Sequence, residues 1–404
     1  MSSETQSLSA TKAFDPLKVG SNELSNRIVL APLTRYRAAN NHEPSDLQLE
    51  YYTQRAQYPG TLLITEATLV SEQAGGYPNV PGLWSESQTK GWKKIVDSVH
   101  SKKSFISAQL WSLGRQADPG YLASQGLSYI SASDVYNNDD KRAKAEKANN
   151  PLRALTKDEI KTHVDYFVKA AKNAIFGSGF DYVEIHSANG YLFDQFLQSS
   201  TNKRTDEYGG SIENRARFLF ETIDALIEAV GAEKVAIRLS PWGTYGEMAG
   251  DTDTEIVAIH SYVASELQKR KLAGNEIAYL SLVEPEVTGD TDASKVNVNN
   301  DWIFLIWRGV VLRTGAFASS TPDYRRIFDA VSQNDRTLIG IGRHFLANPD
   351  LLHRLHEGIE LNKYHRETFY TPGISYGYTT YPNAGEDWIS KDDPASKKEA
   401  KVIA

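Results

Sequence analysis

The sequence of 404 residues contains no cysteine, only two methionines and no long apolar run. Without cysteine the protein forms no disulfide, thiolate nucleophile, Cys-ligated zinc site or Cys-bound iron–sulfur cluster. No stretch approaches the roughly 20 consecutive apolar residues that a membrane helix requires. The first twelve residues are rich in Ser and Thr and lack the apolar core of a secretory signal. We therefore expect a cytoplasmic protein that is not embedded in a membrane.

Basic residues are neither in excess nor clustered. The chain has 44 Lys and Arg against 51 Asp and Glu, which gives a formal net charge of −7. Because nucleic-acid-binding proteins present a basic face, we do not expect a nucleic-acid partner. The composition, 40% hydrophobic and 24% charged, is typical of a globular protein with a substantial core.

Short runs rich in Val, Ile and Leu recur along the chain, and helical patterns separate most of them. Runs of this kind are typical of parallel strands that are buried on both faces. Eight strands that alternate with helices predict an α/β protein, a single-domain (β/α)8 TIM barrel. A doubly wound open sheet is the alternative, but no GxGxxG motif follows the first strand. The eight runs are 28–33, 61–65, 104–110, 180–185, 234–239, 277–283, 309–313 and 337–341.

Three helices have clear start and stop signals. The first begins with a capping box, in which the side chains of Thr156 and Glu159 would each bond to the other's backbone N–H. Each helix precedes a glycine, a residue that ends helices because it adopts the left-handed conformation readily. The predicted first and last signals are Thr156 and Gly177, Ser211 and Gly231, and Asn348 and Gly358.

The length beyond a minimal barrel of roughly 250 residues lies in the ends and in long strand–helix loops. The segment 14–27 is predicted to be an N-terminal hairpin that closes the barrel bottom. The segments 116–153 and 284–300 follow the third and sixth strands, on the face where barrel enzymes place their active sites. A loop as long as 116–153 is often a lid. The predicted divisions are a flexible N-terminal tail at 1–12, the barrel at 13–386 and a polar C-terminal tail at 387–404.

Two polar residues fall on faces of predicted strands that point into the barrel. Arg238 alternates with apolar residues that would meet the helices, so its side chain points inward and requires a partner. One interpretation is a structural ion pair with Glu66 or Glu184, and the other is an electron-rich ligand. Gln109 follows the same alternation. A flat heteroaromatic ring with alternating donors and acceptors would satisfy a buried glutamine.

Glycines follow the seventh and eighth strands, at Gly315 and at Gly342, which precedes Arg343. Glycine lets backbone N–H groups approach an anion closely, and arginine adds a charged fork. As an isolated tetrapeptide, GxGR is more often a simple turn. The loops after strands seven and eight are the usual phosphate site of a TIM barrel, so their position favours phosphate binding.

The fourth strand leads into His186, Asn189 and Tyr191. The imidazole and the carboxamide can both donate hydrogen bonds to one carbonyl oxygen, and the phenol can deliver a proton nearby. Individually, these residues are commonly structural, and Asn-Gly is a turn signal. Together they favour a site that polarises a conjugated carbonyl group while another group supplies electrons. A metal site is not expected, because no second ligand lies at a suitable spacing.

These residues, in this order, resemble the old yellow enzyme family of FMN-dependent ene-reductases, and its fungal, yeast-type branch in particular. The resemblance extends over nearly the whole chain, from Asn26 to about Tyr381. Its most specific motifs are HSANGYL at 186–192 and RTDEYGGSIENR at 204–215. Shorter motifs that support it are AGGY at 74–77, QLW at 109–111 and IGR at 341–343.

The resemblance implies a tightly bound FMN in the barrel mouth. Thr34 would bond to the flavin carbonyl beside N5, and Arg238 would stabilise negative charge on the reduced ring. Ala316 and Ala67 depart from the family pattern, in which asparagine and glycine are common, without removing the site. The implied cofactor residues are Pro32, Thr34, Ala67, Gln109, Arg238, Gly315, Gly342 and Arg343. The implied substrate residues are His186, Asn189, Trp111, Tyr77, Tyr245, Phe369 and Tyr370.

The implied activity is that of an NADPH dehydrogenase and ene-reductase. NADPH would reduce FMN, which would pass hydride from N5 to the β-carbon of a small α,β-unsaturated carbonyl compound. His186 and Asn189 would hold the carbonyl oxygen while Tyr191 protonates the α-carbon. The alternatives are a flavin-independent, phosphate-binding barrel lyase and a non-catalytic FMN-binding protein. Relatives in the family are often dimers, so a homodimer is the assembly that the resemblance implies; the choice between NADPH and NADH stays open.

Overall fold

The computed structural model describes residues 5–289, 291–292 and 297–403, and a closed parallel barrel forms its centre. The strands in chain order are β1 (Leu17–Val19), β2 (Asn22–Leu24), β3 (Ile28–Leu30), β4 (Leu62–Ile64), β5 (Thr68–Leu69), β6 (Phe105–Trp111), β7 (Ile130–Ser131), β8 (Arg153–Ala154), β9 (Tyr182–Ser187), β10 (Val235–Leu239), β11 (Tyr279–Val283), β12 (Val287–Thr288), β13 (Thr291–Asp292), β14 (Val311–Thr314) and β15 (Thr337–Ile341).

The α-helices follow the barrel strands and form its outer layer. In chain order they are α1 (Asp46–Arg55), α2 (Glu86–Ser101), α3 (Pro119–Ser124), α4 (Asp139–Lys147), α5 (Lys157–Lys172), α6 (Leu192–Leu197), α7 (Ile212–Val230), α8 (Asp253–Leu272), α9 (Ile303–Ile306), α10 (Arg325–Gln333), α11 (Arg343–Ala347) and α12 (Leu351–Glu357). Among the described residues, none of these helices has the length and apolar character that crossing a membrane requires.

The barrel closes in the order β3–β4–β6–β9–β10–β11–β14–β15, and β15 pairs with β3 in parallel. Each of the eight apolar runs contributes one of these strands, so the predicted (β/α)8 barrel is confirmed. The doubly wound alternative is wrong, because an open sheet would leave two edge strands. Almost every residue of these strands is buried, since side chains on one face fill the barrel and those on the other meet the helices.

A hairpin of β1 and β2 covers the amino-terminal end of the barrel, as the sequence predicts. Its apolar residues Val19 and Leu24 pack against Val29 and Leu338 from the bottom layer of the interior. The hydroxyl group of Tyr182 donates a 2.7 Å hydrogen bond to the carbonyl oxygen of Val19. The hairpin therefore seals this end, and the interior layers above it face the opposite, carboxyl-terminal end.

Most of the predicted helix signals are confirmed. The capping box of Thr156 and Glu159 is formed, Ser211 caps α7, and Gly231 ends it. Gly177 does not end its helix: the chain continues as a π-helix over Asn173–Ser178, and Gly179, with φ of 86°, terminates it. Because of this π-helix, the left-handed residue that ends the helix is Gly179, two positions after Gly177.

The last of the three helices begins later than predicted. Gly358 ends α12 in the left-handed conformation, as expected, but the residue that precedes its first turn is Asp350 rather than Asn348. The side chain of Asn348 accepts a 2.7 Å hydrogen bond from the backbone N–H of Asn362 and donates one to the carbonyl oxygen of His344. Asn348 therefore connects two segments instead of capping a helix.

The segment 116–153, called the insert below, is folded. It contains α3, α4 and β7, and β7 pairs with β8 at its end. A lid role for the insert stays a prediction. Of the segment 284–300, residues 290 and 293–296 lie outside the described residues, and the remainder includes the short β12–β13 hairpin.

Both ends of the described chain contact the barrel. The backbone N–H of Gln6 donates to the carbonyl oxygen of Pro322, and that of Leu8 to Leu355. Near the other end, Val402 forms a β-bridge with Ser45. Residues 1–4 and 404 lie outside the described residues, and the predicted boundaries of the barrel and its tails stay predictions.

Candidate active site

A cavity of about 590 Å³ opens at the carboxyl ends of the barrel strands. It collects residues from both ends of the chain, from Ala31 to Pro372. Every predicted cofactor and substrate residue lines it except Ala67, which is buried in an apolar cluster with Trp111 behind the wall. The predicted residues on the lining are Pro32, Thr34, Tyr77, Gln109, Trp111, His186, Asn189, Tyr191, Arg238, Tyr245, Gly315, Gly342, Arg343, Phe369 and Tyr370.

The turn after β9 holds Asn189 and Gly190 in left-handed conformations, with φ of 55° and 70°. Two side chains from outside the turn hold it in place. The backbone N–H of Asn189 donates to the Ser240 hydroxyl group at 2.7 Å, and that of Gly190 donates to the Asp194 carboxylate at 2.8 Å. The strained turn brings the Asn189 side chain and the following residue, Tyr191, to the cavity beside the end of β9.

Three rings contact one another at this wall. The His186 ring is nearly parallel to that of Trp111, at 6.4 Å and 19°, and Tyr191 packs edge-on against both at 4.9 Å. Burial lowers the pKa of His186 well below its usual value, and the nearby Arg238 lowers it further. Burial raises the pKa of Tyr191 well above its usual value. The site therefore contains a neutral imidazole and a protonated phenol at neutral pH.

Arg238 points into the barrel, as strand alternation predicts. Its Nη1 donates to the hydroxyl groups of Ser281 at 3.2 Å and Thr314 at 3.3 Å. The Glu184 carboxylate accepts from Gln109 at 2.6 Å and acts on Arg238 through space. The hypothesis of a pair with Glu66 is wrong: β4 ends before Glu66, and its carboxylate accepts from Gln48 on α1.

The polar atoms of the cavity fit a flavin ring. Within the described residues, Arg238 Nε and Trp111 Nε1 are buried without a hydrogen-bond partner. Unsatisfied buried donors are costly, so these atoms indicate a polar ligand in the cavity. The Arg238 guanidinium adds a buried positive charge, and Gln109 lies on the same lining. An electron-rich heteroaromatic ring would offer acceptors to the unpaired donors and electron density to the buried positive charge.

A second part of the lining fits a phosphate group. Gly315 directly follows β14, Gly342 directly precedes α11, and Arg343 is the first residue of that helix. A Cβ atom at Gly315 would lie 2.8 Å from the Glu284 Cβ atom, so glycine is required there for packing. Backbone N–H groups of such a glycine-rich loop, together with the Arg343 fork, provide donors suited to a phosphate.

Tyr36, which no sequence motif marks, also lines the cavity. Its φ is 56°, a left-handed conformation that is rare for an aromatic residue. The ring packs against Tyr77 at 6.2 Å and Tyr370 at 5.8 Å. In the sequence, only its position directly after Thr34 and Arg35 indicates that Tyr36 belongs to the site.

Phe369 and Tyr370 reach the cavity because buried arginines hold their segment. Arg35 Nε donates to the carbonyl oxygen of Phe369 at 2.8 Å, and Arg37 Nη1 donates to the same oxygen at 3.0 Å. Arg37 also donates to the carbonyl oxygen of Thr368 at 2.9 Å. The first strand–helix loop therefore anchors the C-terminal segment over the cavity.

Known proteins and solved structures are similar to this chain along nearly its whole length. The model of the NADH:flavin oxidoreductase / NADH oxidase family matches residues 12–362. The chain is 49% identical to enoate reductase 1 of Kluyveromyces lactis, over 96% of this chain and 97% of that protein. It is 47% identical to a probable NADPH dehydrogenase of Candida albicans, over 95% and 94% of the two chains. The crystal structure of old yellow enzyme from a Pichia species superposes with a TM-score of 0.93 at 45% identity, covering 98% of this chain and all of that one.

Proposed function

This chain belongs to the NADH:flavin oxidoreductase / NADH oxidase family, and on that premise we propose that it reduces the C=C bond of α,β-unsaturated carbonyl compounds. It is an FMN-dependent oxidoreductase of the enoate reductase and old yellow enzyme type, with NADPH as reductant. The flavin-independent lyase is excluded by this membership. When bound, FMN would supply the redox chemistry, hydride transfer between the nicotinamide and the alkene.

His186 and Asn189 bind the carbonyl oxygen of the substrate. Both side chains line the cavity beside the end of β9. A neutral imidazole can donate one hydrogen bond and the carboxamide another, and both strengthen as negative charge develops on the oxygen. The low pKa of His186 keeps it a hydrogen-bond donor rather than an acid. The pair therefore acts as an oxyanion site for the developing enolate.

Tyr191 donates the proton that the α-carbon requires. Its ring lies edge-on against His186, with centroids 4.9 Å apart, so the phenol is close to the oxygen-binding pair. Because burial raises its pKa well above 10, the group stays protonated until carbon becomes basic in the transition state. The juxtaposition of His186, Asn189 and Tyr191 on one cavity wall is the observation that carries this proposal.

Arg238, Gln109 and Thr34 would hold the ring of FMN, and Gly315, Gly342 and Arg343 its phosphate group. The buried guanidinium stabilises negative charge near the ring, and its unpartnered Nε is available to an acceptor on it. The aromatic residues at the mouth exclude water and bind small unsaturated molecules. Cytoplasmic location and a homodimer stay predictions for this chain.

The experiment uses the purified holoprotein. It should be yellow, and in the absence of oxygen it should consume more than one equivalent of NADPH only when cyclohexenone is added. With NADPH deuterated at the transferred position, the saturated product should carry deuterium at the β-carbon. Parallel runs with NADH measure the nucleotide preference. A yellow protein that oxidises NADPH but leaves cyclohexenone unchanged would contradict alkene reduction.

A further inference from the structure

Gln116 connects three loops around the cavity. It ends the short 3₁₀ turn Gly114–Gln116 after β6, and it is 5% exposed. Its Nε2 donates to the carbonyl oxygens of Gly190 at 3.2 Å and Gly246 at 3.3 Å. Its Oε1 accepts a hydrogen bond from Asn137 Nδ2 at 2.9 Å. Both N–H groups of the amide and one lone pair of its oxygen are therefore used in joining separate segments.

Both glycines approach the amide so closely that no side chain fits. Gly190 and Gly246 have φ of 70° and 72°. A Cβ atom would lie 2.8 Å from Gln116 Nε2 at the first position and 1.5 Å from it at the second. Two loops from different strands therefore have a glycine where they meet the same side chain, which indicates that these contacts determine how the loops are placed.

Each connection leads to a tyrosine on the cavity lining. Gly190 directly precedes Tyr191, and Gly246 directly follows Tyr245. The backbone carbonyl oxygen of Gln116 accepts a 2.7 Å hydrogen bond from the Tyr77 hydroxyl group. The rings of Tyr191 and Tyr245 are 6.4 Å apart. Gln116 therefore fixes, through its side chain and backbone, the relative positions of three cavity tyrosines.

The later part of the insert, around α4, holds Gln116 from the other side. Besides Asn137, Lys141 of α4 donates from Nζ to the carbonyl oxygens of Gln116 at 3.1 Å and Ala117 at 2.7 Å. The insert is therefore attached to the cavity wall at the residue that joins the loops.

We propose that Gln116 is a positioning residue for alkene reduction, which sets the placement of Tyr77, Tyr191 and Tyr245 relative to the substrate. The proposal rests on the proposed function. Gln116 does not line the cavity, so it acts through the loops that it joins. Misplacement of reacting groups by about 1 Å can lower a rate by about a hundredfold, and loss of this amide would remove one contact from each of two loops at once.

The test compares Gln116→Met with Gln88→Met, each in the holoprotein. Methionine preserves length and apolar volume but removes the amide. Gln88 is also buried, and its amide accepts from the backbone of Ser85 at the start of α2, away from the cavity. Stopped-flow measurement of the pre-reduced protein with cyclohexenone gives the limiting rate and the apparent dissociation constant separately.

We expect Gln116→Met to retain its FMN and to lower the limiting rate of cyclohexenone reduction about tenfold or more. Gln88→Met should lower the free energy of unfolding but leave that rate within about twofold. Equal limiting rates in Gln116→Met and wild type would overturn the positioning role. If Gln116→Met does not fold, Gln116→Glu decides, because it keeps the shape of the side chain and an acceptor for Asn137 but removes at least one of the two N–H donors to the loops: a lower limiting rate supports the role and an unchanged one rejects it. Wild-type protein without cyclohexenone reduction would instead reject the proposed function.

Discussion

The Asp194 carboxylate accepts a hydrogen bond from the backbone N–H of Gly190 at 2.8 Å. Its other oxygen accepts from Gln198 Nε2 at 3.0 Å. A fully buried acidic group therefore supports the turn that carries Asn189 and Tyr191. Burial raises the pKa of Asp194 from 3.8 to about 6, so this support changes protonation state within an accessible pH range.

Replacing Asp194 with asparagine should change how stability depends on pH. A carboxyl group whose pKa rises on folding contributes stability below its unfolded pKa, and this is lost as the pH rises through the folded pKa of about 6. The free energy of unfolding of Asp194→Asn minus that of wild type should therefore grow between about pH 4 and 7, by on the order of 3 kcal/mol. Urea denaturation across this range measures it. Gln198 Oε1 has no partner among the described residues and can accept from the new amide; a pH-independent difference would contradict the prediction.

Tyr191→Phe should separate the two half-reactions. Removing a general acid typically costs about 10²- to 10⁴-fold in rate, so enone reduction should fall by this amount while flavin reduction by NADPH changes little. Anaerobic stopped-flow spectroscopy follows each step. Since burial raises the pKa of Tyr191 well above 10, the wild-type rate should not fall between about pH 7 and 9 through ionisation of the phenol. Tyr182→Phe, which removes a phenol at the opposite end of the barrel, is the control, and equal losses in both steps would exclude proton donation.

Replacing His186 and Asn189 together with alanine should abolish the long-wavelength charge-transfer band that phenols form over a flavin. The two donors bind the phenol oxygen, whereas the predicted flavin contacts lie on other strands. The purified variant should therefore stay yellow. Spectral titration with a para-substituted phenol checks this, and a colourless protein would assign the pair a structural role.

Arg238→Met should lower the reduction potential of the bound flavin by tens of millivolts, since about 30 mV corresponds to about 1.4 kcal/mol for two electrons. The positive charge near the ring favours the reduced, anionic form. After removal of FMN, the variant should be less stable than wild type, because the buried Glu184 carboxylate loses the positive charge that acts on it. Potentiometry and thermal denaturation measure the two effects. An unchanged potential would place the guanidinium away from the ring.

Arg343→Met should weaken FMN binding more than riboflavin binding. A hydrogen bond to a charged group contributes about 1.5–3 kcal/mol, so the preference for FMN should fall by about tenfold to a hundredfold. Riboflavin, which lacks the phosphate, is the internal control for folding and ring binding. Fluorescence titration of the apoprotein with both flavins gives the ratio, and equal weakening of both would reject a phosphate contact.

The barrel was predictable because its signals are local. Continuous apolar runs mark strands buried on both faces, and alternation along β10 sufficed to direct Arg238 inward. The motif around His186 is continuous in sequence, so its three polar residues had to be neighbours. The phosphate-binding role of Gly342 and Arg343 could be predicted because they directly follow the last strand of the barrel.

Other features depend on where a strand ends or on contacts between distant segments. Alternation would have placed Glu66 inside the barrel, but β4 ends at Ile64, and Glu66 contacts α1 instead. Gly177 was predicted to end α5, but the chain continues past it as a π-helix through Ser178. Tyr36 and Gln116 carry no pattern of their own, because their roles arise from a left-handed backbone and from loops over seventy positions apart.

The hairpin of β1 and β2 closes one end of the barrel, so the two substrates share the mouth at the other end. A nicotinamide and an enone would both require the space in front of His186 and Asn189, and each must depart before the next arrives. Steady-state double-reciprocal plots at several fixed enone concentrations should therefore be parallel lines. High concentrations of either substrate should inhibit competitively against the other.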